Sequence, residues 1–167
     1  FVHVGGTLSS ASIGNGDNRM WVGVDAICFT FGEGDDQAAV GRNVGSANLG
    51  NGDNQLAVGG AVGSLVTGCG NDTIHVALDL RDLVTGSGDD AVFVGGSSHA
   101  INLGSGQDRL SVGGTLGCLN TGDGADQVSL GRLAGSANLE SGDDRIELGG
   151  FGPCAVLNGG LGRDTLA

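Results

Sequence analysis

Carboxylate and amide side chains recur in this sequence every eighteen residues, each at the end of a pentad of the form G-x-G-x-[D/N]. Nine copies occur, and the last arrives two residues late. The fifth residue of each pentad is Asn18, Asp36, Asn54, Asp72, Asp90, Asp108, Asp126, Asp144 or Asp164. The fourth is often polar too, at Asp17, Asp35, Asp53, Asn71, Asp89 and Asp143. A fixed period is the signature of a solenoid of stacked turns.

Stacked turns place these oxygen-bearing loops along one edge, where they suit a hard cation. The pentad glycines can turn the chain sharply and aim carbonyl oxygens inward, because glycine adopts positive φ at little cost. They are Gly14, Gly16, Gly32, Gly34, Gly50, Gly52, Gly68, Gly70, Gly86, Gly88, Gly104, Gly106, Gly122, Gly124, Gly142, Gly160 and Gly162. Calcium takes six to eight oxygen ligands, more than one loop supplies. Each ion is therefore expected between two turns, and nine loops leave eight gaps, for up to about eight calcium ions in one row.

Two loops depart from this pattern at the fifth position. Asn18 and Asn54 offer only a neutral amide oxygen, so the gaps beside them are expected to bind calcium more weakly, because ligand charge tunes affinity. The fourth residue is expected to contribute its carbonyl, with its carboxylate exposed or bridging. Gln107, Ala125 and Arg163 at that position show that a carboxylate there is not required.

The acidity of the chain is confined to the pentads. The formal net charge is −12 over 167 residues, and fifteen of the nineteen Asp and Glu residues lie inside the nine pentads. Such a stripe of like charges requires a counter-cation. It argues against nucleic acid and an anionic membrane as partners. No segment has the length and apolarity of a membrane span.

Apolar residues between the pentads predict the elements that position them. Counted from the first residue of a pentad, the seventh and ninth positions are apolar around a variable eighth, as in Ile74-His75-Val76. The sixteenth and eighteenth repeat this alternation, as in Ile101-Asn102-Leu103. Alternation over so few residues predicts short strands with one buried face. We expect an all-β, parallel β-roll or β-solenoid, a single domain over 1–167 with about nine turns of two short strands each and without end caps.

The last copy carries a specific resemblance. Gly159-Gly160-Leu161-Gly162-Arg163-Asp164-Thr165-Leu166-Ala167 matches the nonapeptide G-G-x-G-x-D-x-U-x. The chain resembles the repeats-in-toxin (RTX, hemolysin-type calcium-binding) repeat family over essentially all of its residues. This resemblance implies a calcium-binding parallel β-roll that is exported unfolded and folds outside the cell. The second half of each turn lacks the Gly-x-Asp chemistry of that family, so one row of ions is expected instead of two.

Other side chains give weaker indications. Cys28, Cys118 and Cys154 share the fifteenth position, but the nearest two are two turns apart, too far for a disulfide in an ideal stack. His3 and His75 lie four turns apart and cannot share a metal. No hydrolase, zinc-protease or nucleotide-binding motif occurs. Ice binding would favour a regular outward Thr ladder, whereas the seventeenth position is mixed (Ser12, Thr30, Asn48, Val66).

These observations predict a non-enzymatic, calcium-binding structural repeat module of a secreted or cell-surface protein, which folds on binding extracellular calcium. It could stack end to end into a filament or matrix. Two alternatives remain open: the calcium-binding C-terminal region of a secreted toxin or hydrolase whose catalytic domain lies outside this sequence, and a carbohydrate-binding adhesin module. We expect that the chain could associate end to end with copies of itself or bind a polysaccharide. We expect neither nucleic-acid binding nor insertion into a membrane.

Overall fold

The chain folds into a stack of turns whose regular elements are all strands, as a computed structural model of residues 1–167 shows. The strands of one face are β1 (Val2–Val4), β3 (Arg19–Val22), β5 (Gln37–Val40), β7 (Gln55–Val58), β9 (Thr73–Val76), β11 (Ala91–Val94), β15 (Arg145–Leu148) and β17 (Thr165–Leu166). Those of the other are β2 (Leu8–Ser12), β4 (Ala26–Thr30), β6 (Val44–Asn48), β8 (Val62–Cys69), β10 (Leu80–Ser87), β12 (Ser98–Ser105) and β16 (Val156–Asn158). The strands β13 (Arg109–Asp123) and β14 (Gln127–Asn138) contribute to both faces.

Every strand pairs in parallel with its equivalent in the next turn. His3 lies opposite Trp21 and Leu65 opposite Leu83, eighteen residues on in each case. The two faces form one continuous sheet because β13 and β14 run through the bend between them. The all-β parallel solenoid of about nine turns is therefore confirmed. The structure contains no helix, and so none that is long and apolar enough to cross a membrane.

Apolar side chains from both faces fill a continuous core of 32 buried residues. The seventh, ninth, sixteenth and eighteenth positions point inward as expected, for example Ile74, Val76, Leu65 and Leu103. Where the eighteenth position is threonine, at Thr67, Thr85 and Thr121, the buried hydroxyl donates to a carbonyl of the next turn. The polar group is thereby satisfied inside the stack.

A further inward column lies at the thirteenth position, outside the four apolar positions that the sequence pattern identified. Its buried members are Ala26, Val44, Val62, Leu80, Ser98 and Leu116. Val44, for example, begins strand β6. A β-bulge opposite Leu116 shifts the register of β14 by one residue, so that Leu133 continues the column.

The two extra residues of the last turn are inserted earlier than expected. Val156 pairs with Ser136 and Leu157 with Ala137, so the insertion precedes strand β16. Cys154 therefore does not share the column of Cys118, whose equivalents are Ser136 and Val156. All four cysteines are free.

Candidate calcium-binding edge

The fifth pentad residues form a buried row along one edge of the core. The backbone N–H of each donates to Oδ1 of the fifth residue one turn later: Asn18 to Asp36, Asn54 to Asp72 and Asp90 to Asp108, at 2.7–2.8 Å. The side chains of Asp36, Asp72, Asp90, Asp108 and Asp126 are about 99% buried. Only the last member, Asp164, is exposed.

The second oxygen of these carboxylates has no partner. Oδ2 is buried and accepts no hydrogen bond in Asp36, Asp72, Asp90, Asp108, Asp126 and Asp144. Buried polar atoms are normally satisfied, so a repeated exception requires an explanation. Because the same atom is orphaned in six turns, the explanation lies in the design of the loop.

The same six turns share a second feature, at the carbonyl of the third pentad residue. The carbonyl oxygens of Gly34, Gly70, Gly88, Gly106, Gly124 and Gly142 accept no hydrogen bond from the protein. Both groups are acceptors, and neither can bond to the other without a donor or a cation. An oxygen-preferring ion placed between them would bind both.

In the two asparagine turns the corresponding carbonyls are satisfied. Nδ2 of Asn18 donates to the carbonyls of Gly14 and Gly16, at 2.8 and 2.6 Å. Nδ2 of Asn54 donates to the carbonyl of Gly52 at 2.8 Å, while its Oδ1 accepts the N–H of Asp36. These asparagines direct a nitrogen, and not the expected amide oxygen, at the loop carbonyls.

The pentad glycines are required by both backbone conformation and stacking. Gly106 has φ of +134°, and a Cβ there would collide with the carbonyl oxygen of Gly88 one turn below. The other third-position glycines, from Gly16 to Gly162, also have positive φ. Glu140 takes the first position of its pentad and is the single non-glycine residue with positive φ, at 62°.

Burial dominates the electrostatics of the row. It raises the pKa of Asp108 to about 7, opposed by the N–H of Asp90 and reinforced by the charges of Asp90 and Asp126. It also raises the pKa of Asp90 and of Asp144 to about 6. The pKa values of Asp72 and Asp126 are raised for the same reason. Ionised and uncompensated, these carboxylates oppose the fold.

The oxygen donors of this edge fit calcium if main-chain carbonyls are included. Nowhere in the structure do three or more His, Cys, Asp or Glu side chains lie close enough together to hold a metal ion by themselves. Adjacent carboxylates of the row belong to successive turns, about 4.8 Å apart. Carbonyl oxygens of the pentads must therefore complete a coordination shell, and calcium accepts such mixed, irregular oxygen sets. A zinc site, which prefers nitrogen and sulfur ligands, does not fit this edge.

The fourth pentad residues form a second, exposed ladder beside the buried row. Oδ1 of Asp17, Asp35, Asp53, Asn71 and Asp89 accepts the N–H of the fourth residue one turn later, at 2.7–3.0 Å. Their side chains are thus both exposed and bridging. The ladder is interrupted at Gln107 and Ala125 and resumes from Asp143 to Arg163.

The remaining candidate residues do not form a second metal site. His3 packs edge-on against Trp21, and His75 stacks on Phe93 with ring centroids 4.8 Å apart. The exposed His99 contacts Asp82, which Arg81 also neutralises. A shallow groove of about 430 Å³ runs beside the His75–Phe93 pair and is lined by Arg109, Gln127 and other outward residues.

Comparison with known proteins identifies one structural relative. The fold matches the crystal structure of a hyperactive, Ca2+-dependent, β-helical antifreeze protein from an Antarctic bacterium, with a TM-score of 0.74 and 26% sequence identity. The match covers 95% of this chain and 64% of that one, so this chain spans about two thirds of its relative. No protein-family model matches the sequence, and no curated protein matches it either. The resemblance to the repeats-in-toxin family therefore rests on the pentads alone.

Proposed function

We propose that this chain is a calcium-folded structural module of an extracellular protein, without catalytic activity. The observation that carries the proposal is the coincidence, in six turns, of an orphaned buried carboxylate oxygen with an orphaned glycine carbonyl. The Ca2+ dependence of the structurally similar β-helical protein supports the same ion.

The mechanism we propose is calcium-coupled folding. Without calcium, the buried carboxylates repel one another, and a chain with 36 glycines loses much conformational entropy on folding. Calcium supplies the positive charge that the row lacks. Since modules of extracellular proteins bind calcium at about 10⁻⁴–10⁻³ M, the chain would fold after secretion or on the cell surface, where calcium reaches such levels.

A calcium titration followed by far-UV circular dichroism tests this function. We expect a reversible coil-to-β transition near millimolar calcium, and its reversal by a chelator. A matched titration with magnesium serves as the control, because Mg²⁺ demands octahedral geometry and retains its waters. A chain that is equally folded in chelator and contains no metal by elemental analysis would overturn the proposal.

Ice binding is a second candidate, favoured by the antifreeze relative and by the regular ladder from Asp17 to Asp89. The seventeenth position remains too mixed to form an ice-binding array, since exposed Val66 and Val84 interrupt it. The test is thermal hysteresis of the calcium-loaded chain. Asn71→Tyr on the ladder is expected to abolish it, whereas Val66→Tyr on the other face leaves it unchanged. Absence of hysteresis in the parent chain excludes this candidate.

Polysaccharide binding and end-to-end association remain proposals for the surfaces. The groove beside His75 and Phe93 combines an aromatic platform with Arg109 and Gln127, as sugar-binding sites do. Glycan-array binding that is lost in Phe93→Ala would support an adhesin role.

Light scattering in millimolar calcium tests filament formation, which a monodisperse monomer would contradict.

A further inference from the structure

The strongest unexplained feature is the pair of asparagines that interrupts the row of buried aspartates. Asn54 is fully buried, and its Oδ1 makes the same contact as the Oδ1 of every aspartate in the row, accepting the N–H of the fifth residue one turn earlier. Only an oxygen can accept this bond, so the amide orientation is fixed. Nδ2 must then lie where an aspartate would place Oδ2.

The amide nitrogen does in these turns what a cation would do in the others. Nδ2 of Asn54 donates to the carbonyl of Gly52, and Nδ2 of Asn18 donates to those of Gly14 and Gly16. Gly16 and Gly52 are the third-position glycines whose carbonyl oxygen accepts a hydrogen bond from the protein. An –NH₂ group carries two donors and no acceptor, so it repels a metal ion from the same place.

We propose that Asn18 and Asn54 replace a calcium ion with their own side-chain amide, so that these two turns are closed without metal. This inference rests on the proposed function of the edge. It predicts six ions, one for each turn with an orphaned Oδ2, instead of eight. The row is divided into a single ion at Asp36 and a continuous series of five from Asp72 to Asp144.

The division has a consequence for folding. The first three turns carry one orphaned carboxylate, at Asp36, whereas the following five carry one each. In a solenoid, folding can begin in any repeat and propagate to its neighbours. The turns around Asn18 and Asn54 therefore form a starting segment that needs less calcium than the remainder of the stack.

Reciprocal substitutions test the inference with two independent readouts. Asn54→Asp is expected to raise the number of bound calcium ions from six to seven, counted by equilibrium dialysis with metal analysis. It is also expected to raise the calcium concentration at the midpoint of the coil-to-β transition, because the turn then lacks the amide that closes it without metal. Asp90→Asn is expected to do the opposite on both counts, leaving five ions and lowering the calcium concentration at the midpoint of the transition. Each change alters one atom and one charge at the same structural position.

Asn102→Asp provides the matched control, because it adds the same charge at an exposed position of strand β12 that lies outside the pentads. Its ion count is expected to stay at six. Eight ions in the parent chain, or an unchanged count in Asn54→Asp, would overturn the inference. If the parent chain is folded in chelator and binds no calcium, the proposed function fails. The denaturation midpoints in chelator, expected to be lower for Asn54→Asp and higher for Asp90→Asn, then still decide whether the amide satisfies the loop.

Discussion

At the scale of single residues, the orphaned Oδ2 atoms of the buried aspartates control the behaviour of the molecule. A carboxylate about 99% buried with one free oxygen is unstable by itself. Protonation, a metal ion or replacement by an amide can each remove the uncompensated charge. An amide takes this place at Asn54. The raised pKa of Asp108, about 7, makes protonation accessible near neutral pH.

The calcium-free chain is therefore expected to become more stable as the pH falls. The pKa of Asp108 is about 7 when folded, against an ordinary value of 3.8, so the folded state binds the proton more tightly. Stability is lost as the pH rises through this range, and it is greatest below about 4. Far-UV circular dichroism in metal-free buffer between pH 8 and 4 measures this dependence, as a gain of β structure on acidification.

Asp108→Asn serves as the control for the pH prediction, because the amide cannot titrate. Its stability should change less with pH than that of the parent chain. In saturating calcium the sign reverses, since protons compete with the ion for the same carboxylates. A calcium-free fold that loses stability on acidification would contradict the assignment of the raised pKa values to this row.

At the scale of the turn, the third pentad glycine is constrained twice, by its φ and by the turn below. Gly106→Ala introduces a Cβ that collides with the carbonyl of Gly88, whereas Gly16→Ala, also at positive φ (+95°), meets nothing within 4 Å. We expect Gly16→Ala to cost about 1–2 kcal/mol from backbone strain. Gly106→Ala should cost more, as thermal unfolding in calcium would show. Equal losses would mean that stacking adds nothing.

The inward column at the thirteenth position contributes buried apolar side chains to the core. Leu80→Ala is expected to cost about 2–5 kcal/mol, since it empties a fully buried site. The control is Leu78→Ala, two residues earlier and 55% exposed, which is expected to change stability by less than about 0.5 kcal/mol. Chemical denaturation in calcium measures both. A small loss for Leu80 would argue that this column is loosely packed.

The sequence pattern predicts most of this element but not all of it. Alternating apolar residues such as Ile74 and Val76 identify the strands, because the period of two is a direct result of the pleat. The thirteenth column is not recognisable in this way, since it starts a strand after a loop and includes Ser98. The sequence also does not predict where the two extra residues of the last turn are inserted, because the pairing of Val156 depends on the preceding turn and not on the local sequence.

The candidate site is also only partly predictable from the sequence. The eighteen-residue spacing alone predicts the row of aspartates and its preference for an ion that binds oxygen ligands. It does not predict which amide atom of Asn54 faces the carbonyl of Gly52, because that choice is made by the N–H of Asp36 in the turn before. Contacts between turns, and not the residue type, decide the chemistry there.

At the scale of the whole molecule, calcium changes the net charge. Six divalent ions would neutralise the formal charge of −12. We therefore expect the chain to bind an anion-exchange column strongly in chelator and to lose most of that retention in millimolar calcium. Retention unchanged by calcium, in a chain shown to remain folded, would contradict binding at this edge.

The pairing of each turn with only its two neighbours also determines how the molecule responds to force. The hydrogen bonds between turns run along the axis of the stack, so a pull along this axis opens them one turn at a time instead of shearing a whole sheet. Each opened turn would release eighteen residues, or roughly 60 Å of chain at about 3.4 Å per residue. If calcium closes the loops as proposed, the force needed to open each turn would rise with the calcium concentration around the molecule.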